Sequence, residues 1–129
     1  MSRLLCKCGH IIEDHEIDLN YKARLLKDKD YDDFTDWVAQ EVQDYFLAME
    51  KNLGAEWLLK KEYGKEYVKM NLDHGSVMHD HIFLRQFSKI KRDAYECTQC
   101  GRIHIEKKEN EFISYMPDNG LVNNIFKKK

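Results

Sequence analysis

At 129 residues the chain is the size of one domain, and its six Phe, seven Tyr and two Trp supply one modest core. Apolar runs such as Ile82-Phe83-Leu84 fall far short of the roughly 20 residues a membrane helix needs, and no basic-then-apolar leader opens the chain, so a cytoplasmic protein is expected. With 21 basic against 23 acidic residues, net charge -2, there is no overall reason to expect a nucleic-acid partner.

The charge is uneven along the chain. Residues 13–56 carry 13 acids and 5 bases, whereas residues 57–129 carry 10 acids and 14 bases. That distribution fits either a solvated helix face or a two-signed interaction surface.

In chain order, Leu4-Leu5 and Ile11-Ile12 flank Cys6-Lys7-Cys8-Gly9-His10, two β-prone arms around a Cys-Gly turn, which predicts a hairpin. Residues 16–29 alternate weakly, with Ile17, Leu19, Tyr21, Leu25 and Leu26 as candidate buried positions. From Tyr31 to Leu53 the pattern is helical: Phe34, Trp37, Val38, Val42, Tyr45, Phe46, Met49 and Leu53 recur at three- and four-residue steps. Asp30, Asp32 and Asp33 suit its N-cap and first turn, and Gly54 its end. A short helix is expected over Ala55 to Tyr63, closed by Gly64, with Trp57, Leu58 and Leu59 inward. Tyr67 to Asn71 fits helix and strand equally, and Asp73 to Ile90 fits a helix. Tyr95 to Ile105 then reads as strand, Cys-x-x-Cys-Gly turn, strand, and Phe112 to Met116 as a further strand. Asp118-Asn119-Gly120 is a turn, followed by a basic tail over 121–129.

The four cysteines form two pairs, Cys6/Cys8 and Cys97/Cys100, and each second cysteine precedes a glycine. A knuckle turn aims two thiolates at one ion, and glycine permits the backbone geometry that the turn needs. Two such turns on two hairpins close a tetrahedral shell, predicting one structural zinc per chain held by Cys6, Cys8, Cys97 and Cys100. His10 is an alternative to Cys8.

These two patches resemble the zinc-ribbon family. Cys97-Thr98-Gln99-Cys100-Gly101-Arg102 matches the family's knuckle in full, while Cys6-Lys7-Cys8-Gly9 has one spacer residue rather than two. The combination also resembles small bacterial proteins that join an N-terminal Cys-x-Cys-Gly to a distal Cys-x-x-Cys-Gly-Arg, a likeness that implies no activity. The expected fold is therefore α+β: a single domain over 1–129, with a ribbon of short antiparallel strands built from both chain ends. Knuckle 1 lies at 3–13, a helical insertion at about 16–91, and knuckle 2 with its strands at about 92–118.

His74, His79, Asp80 and His81 are a second cluster with metal-ligand chemistry. On an α-helix, however, His79 and His81 diverge by about 200°. His104 follows the second knuckle and is expected to face solvent. No HExxH, phosphate-cradling glycine loop or Gly-x-Ser-x-Gly elbow is present, and the thiols are the expected zinc ligands. The acids Asp32, Asp33, Asp36, Glu41 and Asp44 lie mostly opposite the apolar helix face, as on a solvated helix.

The reading that follows is a non-catalytic, zinc-stabilised protein-binding module. Asp32, Asp33 and Asp36 would contact a basic partner, as in an inhibitor or immunity-type protein. One alternative is a nucleic-acid-binding ribbon using Arg102, Lys107 and Lys108, with Tyr95 and Tyr115 as stacking surfaces. Another is a metal-dependent hydrolase built on His74–His81. No membrane role and no small-molecule substrate is indicated.

Overall fold

Strands form at both ends of the chain and helices between them. The computed structural model describes residues 2–61 and 73–128. The expected close of the second helix at Tyr63 and Gly64, and the segment Tyr67 to Asn71, lie outside them. The chain divides into two compact units, one made of Met1–Leu25 with Lys91–Lys129 and the other of Leu26–Ile90.

In the strand unit, β1 (Ser2–Leu5) and β2 (Ile11–Asp14) pair as an antiparallel hairpin, Leu5 opposite Ile11. A second sheet runs β3 (Lys22–Leu25), β4 (Arg92–Glu96), β5 (Ile103–Lys108) and β6 (Glu111–Tyr115), all antiparallel. Register places Lys22 opposite Tyr95, Tyr95 opposite His104, and His104 opposite Ser114, so these residues share one face. The core joins Cys6, Ile12, Tyr95 and Cys97, with Leu4, Tyr21 and Phe112 packed against it. Polar contacts from the sheet to the hairpin complete it: the Tyr95 hydroxyl donates to Asp14 at 2.5 Å, Lys22 pairs with the same carboxylate, and the Tyr21 hydroxyl donates to the Glu13 carbonyl.

Three expectations are corrected here. Residues 22–25 are a strand rather than part of the helical insertion, because Ala23 and its neighbours satisfy their backbone groups against β4. Ile17 is exposed, since it lies in the bend between β2 and β3. His104 is 2 % exposed rather than solvent-facing, its ring enclosed beside Tyr95 on the inner face.

The helical unit begins with α1 (Asp28–Glu50), which starts earlier than Asp30. Lys27 is its N-cap and makes no side-chain cap bond, so Asp28 and Asp30 act within the first turn, where a carboxylate meets the positive end of the helix dipole. Lys51 caps the C-terminus of α1, and Asn52 takes the left-handed conformation (φ 58°), so Gly54 opens the next helix instead of closing this one. α2 (Gly54–Lys60) turns Trp57 and Leu58 inward but leaves Leu59 exposed. After Asp73, whose carboxylate caps the Ser76 N–H at 2.7 Å, α3 (His74–Val77) runs into a π-helical stretch (Met78–Leu84) and then α4 (Arg85–Ile90).

The π stretch explains an otherwise odd spacing. Val77 and Ile82 are both about fully buried, yet five residues on an α-helix are about 140° out of line. Widening the turn to i→i+5 bonding restores their alignment. Both then pack on Tyr45, with Trp37, Val38, Val42, Met49 and Trp57 around them. Phe34, Phe83 and Phe87 form a further aromatic group, Phe34 and Phe83 edge-on at 5.1 Å.

Glu41 is another correction. It is 6 % exposed and accepts from Lys61 at 2.7 Å, instead of lying on a solvated face. No helix among the described residues is long and apolar enough to cross a membrane.

Candidate metal centre

Each knuckle forms where a hairpin reverses. In the first, the Cys6 N–H donates to the His10 carbonyl and the Gly9 N–H returns to the Cys6 carbonyl, both at 2.9 Å. In the second, the Cys97 N–H donates to the Arg102 carbonyl at 2.8 Å and the Gly101 N–H returns to the Cys97 carbonyl at 2.9 Å. The two turns are thus the same device, the first shorter by one residue. Each closes on a glycine at positive φ, 97° for Gly9 and 86° for Gly101, where a side chain would be strained. The single spacer in Cys6-Lys7-Cys8 is accommodated by that shortening.

The turns bring all four sulfurs within 4.8 Å of one another. Cys6 and Cys100 Sγ are 3.5 Å apart, and Cys8 and Cys97 Sγ 3.6 Å. A disulfide would need about 2.05 Å. Sulfurs about 2.3 Å from a central ion, at tetrahedral angles, lie about 3.8 Å apart. The observed spacing therefore suits four ligands around one ion, and the group could hold a metal. Cys6 and Cys97 are buried, while Cys8 and Cys100 are partly open.

His10 stands outside this group. Its Nε2 lies 3.3 Å from Thr98 Oγ1, a polar contact between the knuckles. Among the described residues, no other group of three or more His, Cys, Asp or Glu side chains converges in this way.

The surroundings treat the sulfurs unequally. Burial raises the Cys97 thiol to about 12, although backbone N–H groups of Cys100 and Gln99 donate to it. Burial likewise raises Cys6, partly offset by the N–H of Cys8. For Cys100 burial is the largest single influence and raises the thiol, but the backbone N–H of Arg102, the neighbouring thiols and the Arg102 guanidinium together outweigh it and bring the thiol down to about 6. The Arg102 guanidinium donates to Cys100 Sγ at 3.3 Å. This N–H···S scaffold would also offset negative charge on thiolates holding a metal.

The other candidate residues are dispersed. Asp32, Asp33 and Asp36 are exposed on α1. Lys107 and Lys108 are exposed and both face Glu111, at 3.9 and 3.2 Å. Tyr95 is buried and engaged with Asp14, so it offers no stacking surface, whereas Tyr115 is exposed. His74 Nδ1 meets the buried Tyr45 hydroxyl at 2.7 Å, and His79 Nδ1 meets Asp80 at 2.7 Å. The histidine cluster therefore splits between a core contact and a surface pair. Sequence reasoning missed Glu96, a carboxylate 2 % exposed beside Cys97. Only its place next to the knuckle distinguished it.

Strand order, helices and clustered cysteines define an α+β protein with a zinc-ribbon-like arrangement of four thiols. The chain belongs to the family described as Domain of unknown function (DUF8617), which matches residues 2–119 and so spans both cysteine pairs. No curated protein and no solved structure matches it.

Proposed function

We propose that the protein is a non-catalytic binding module whose strand unit is stabilised by one structural zinc ion. The observation that carries this reading is the closed set of four sulfurs within 4.8 Å. Four thiolates in tetrahedral array suit zinc, and four protein ligands leave no position for water or substrate. Reduced thiols in this role fit a cytoplasmic setting.

The partner surface we assign is the acidic face of α1, where Asp32, Asp33 and Asp36 are exposed. Such a face steers a basic partner, as an inhibitor or immunity-type protein covering a basic active site does. The nucleic-acid alternative is less well supported. Arg102 is turned to Cys100, Lys107 and Lys108 share Glu111, and Tyr95 is buried.

Elemental analysis with thiol counting under denaturing conditions tests the centre. One zinc and four free thiols per chain are expected. Two metals would favour the histidine-based alternative, and two disulfides without metal would exclude the zinc reading. Reversing Asp32, Asp33 and Asp36 to lysine tests the face: association with a basic partner should slow at least about tenfold at low salt. Unchanged, salt-insensitive binding would remove the acidic-face assignment.

A further inference from the structure

Beyond the last strand, residues 117–125 fold back over the second knuckle. The Gly120 N–H donates to the Pro117 carbonyl at 2.9 Å, and the Asn119 and Asn123 side-chain amides bond each other at 2.6 Å. The Asn123 amide also donates to the Leu121 carbonyl at 2.9 Å. This compact loop touches the knuckle at both ends. At one end lies Gly101, buried and at positive φ, where a Cβ would stand 2.3 Å from the Leu121 carbonyl oxygen and 2.6 Å from its carbon. At the other lies Glu96, whose two carboxylate oxygens each accept a backbone N–H, from Asn123 at 2.9 Å and Ile125 at 3.2 Å.

The contacts are made by backbone. Leu121 and Ile125 turn outward, 63 % and 55 % exposed. Docking therefore depends on the positions of Glu96 and Gly101 more than on apolar burial, Val122 and Pro117 being half-buried. Those two residues flank Cys97 and Cys100, so whatever fixes the knuckle fixes both grips. A buried carboxylate deprived of its donors is costly, which makes the Glu96 bonds a sensitive joint.

We infer that residues 117–125 are a strap whose docking on the second knuckle is coupled to metal occupancy of the cysteine cluster. This rests on the zinc reading above. A bound ion orders the knuckle that the strap grips, and by reciprocity the docked strap tightens the hold on the ion.

The test uses the full, zinc-loaded protein, with zinc release to a competing chelator and amide hydrogen exchange as readouts. Glu96→Gln removes one acceptor oxygen and leaves all four cysteines. Exchange at Asn123 and Ile125 should quicken about tenfold, and zinc should be lost to the chelator about tenfold more readily. Asn123→Pro deletes the Asn123 N–H together with the side-chain amide bonds to Asn119 and Leu121, without touching the sheet, and should reproduce both effects at Ile125 and at the metal. This keeps the test decisive should Glu96→Gln fail to fold. Faster exchange with unchanged zinc retention would overturn the coupling, and unchanged exchange would overturn the grip. Wild-type protein that binds no zinc would instead overturn the underlying metal reading.

Discussion

Half of the fully buried cluster in the strand unit consists of metal-ligand candidates, Cys6 and Cys97 beside Ile12 and Tyr95. The helical unit gathers Tyr45, Val77 and Ile82 inside a shell of two tryptophans, two valines, a leucine and two methionines. One region thus gives part of its apolar volume over to thiols that could hold a metal, and the other is held by side-chain packing. The reason lies in strand length. Strands of four to six residues bury little area, and closing the roughly 90-residue loop between the knuckles has an entropy cost that such strands do not offset alone. A 23-residue helix offers a long apolar stripe that needs no such clamp.

The difference predicts unequal responses to substitution. The largest effect is expected from Cys97→Ser, which removes the most enclosed ligand. Structural zinc contributes on the order of ten kcal/mol in small peptides, so this variant, and Cys100→Ser after it, should be aggregated or partly unfolded and lack metal. Soluble variants with the wild-type melting temperature would show that the strand unit does not depend on the ion.

Next comes Ile82→Ala, which empties the centre of the helical core. About 3 kcal/mol of destabilisation is expected, measured by denaturant unfolding with zinc content unchanged. Loss of zinc in this variant would mean that the two regions are not separately held. Lys61→Met probes the same unit more gently. It leaves the Glu41 carboxylate buried without its partner, and should lower stability by about 1–2 kcal/mol, discounted because Lys61 is partly solvated. A neutral outcome would indicate that Glu41 reaches water.

The smallest effect concerns His104 in the strand unit. Its Nδ1 lies 2.6 Å from Ser114 Oγ, and its Nε2 is buried with no partner among the described residues. Burial, with Arg102 nearby, holds its pKa below the ordinary 6.5. The unfolded chain therefore takes the proton first as pH falls. The contribution of neutral His104 is complete above 6.5 and is lost as pH drops through the folded value. Relative to wild type, His104→Phe should show a flatter stability profile as pH falls below 6.5. Parallel profiles would mean that the ring is accessible in the folded state.

Much of this was legible in the chain itself. The period of Phe34, Val38, Val42, Tyr45 and Met49 marks a helix because local spacing alone sets which residues share a face. The repeated Cys-Gly ends marked both knuckles for the same reason, since a tight turn has few solutions. Other features were not legible. Glu41 and His104 carry no local sign of burial, because a polar residue is enclosed only when a distant partner, Lys61 or Ser114, arrives to satisfy it. The π-helical stretch was equally hidden, since its widened turn aligns Val77 and Ile82 for packing against Tyr45 on another helix.

By itself, then, the sequence determined the α+β class, the long helix, the strands around each knuckle and the identity of the four thiols, all of which follow from spacing of a few residues. Tertiary structure alone decided that β3 joins the sheet beside β4, that His10 stays outside the sulfur cluster, and that Glu96 and Gly101 grip the strap. Each of those depends on contacts between residues far apart in the chain. Their free energy exists only once the backbone has brought donor to acceptor and sulfur to sulfur.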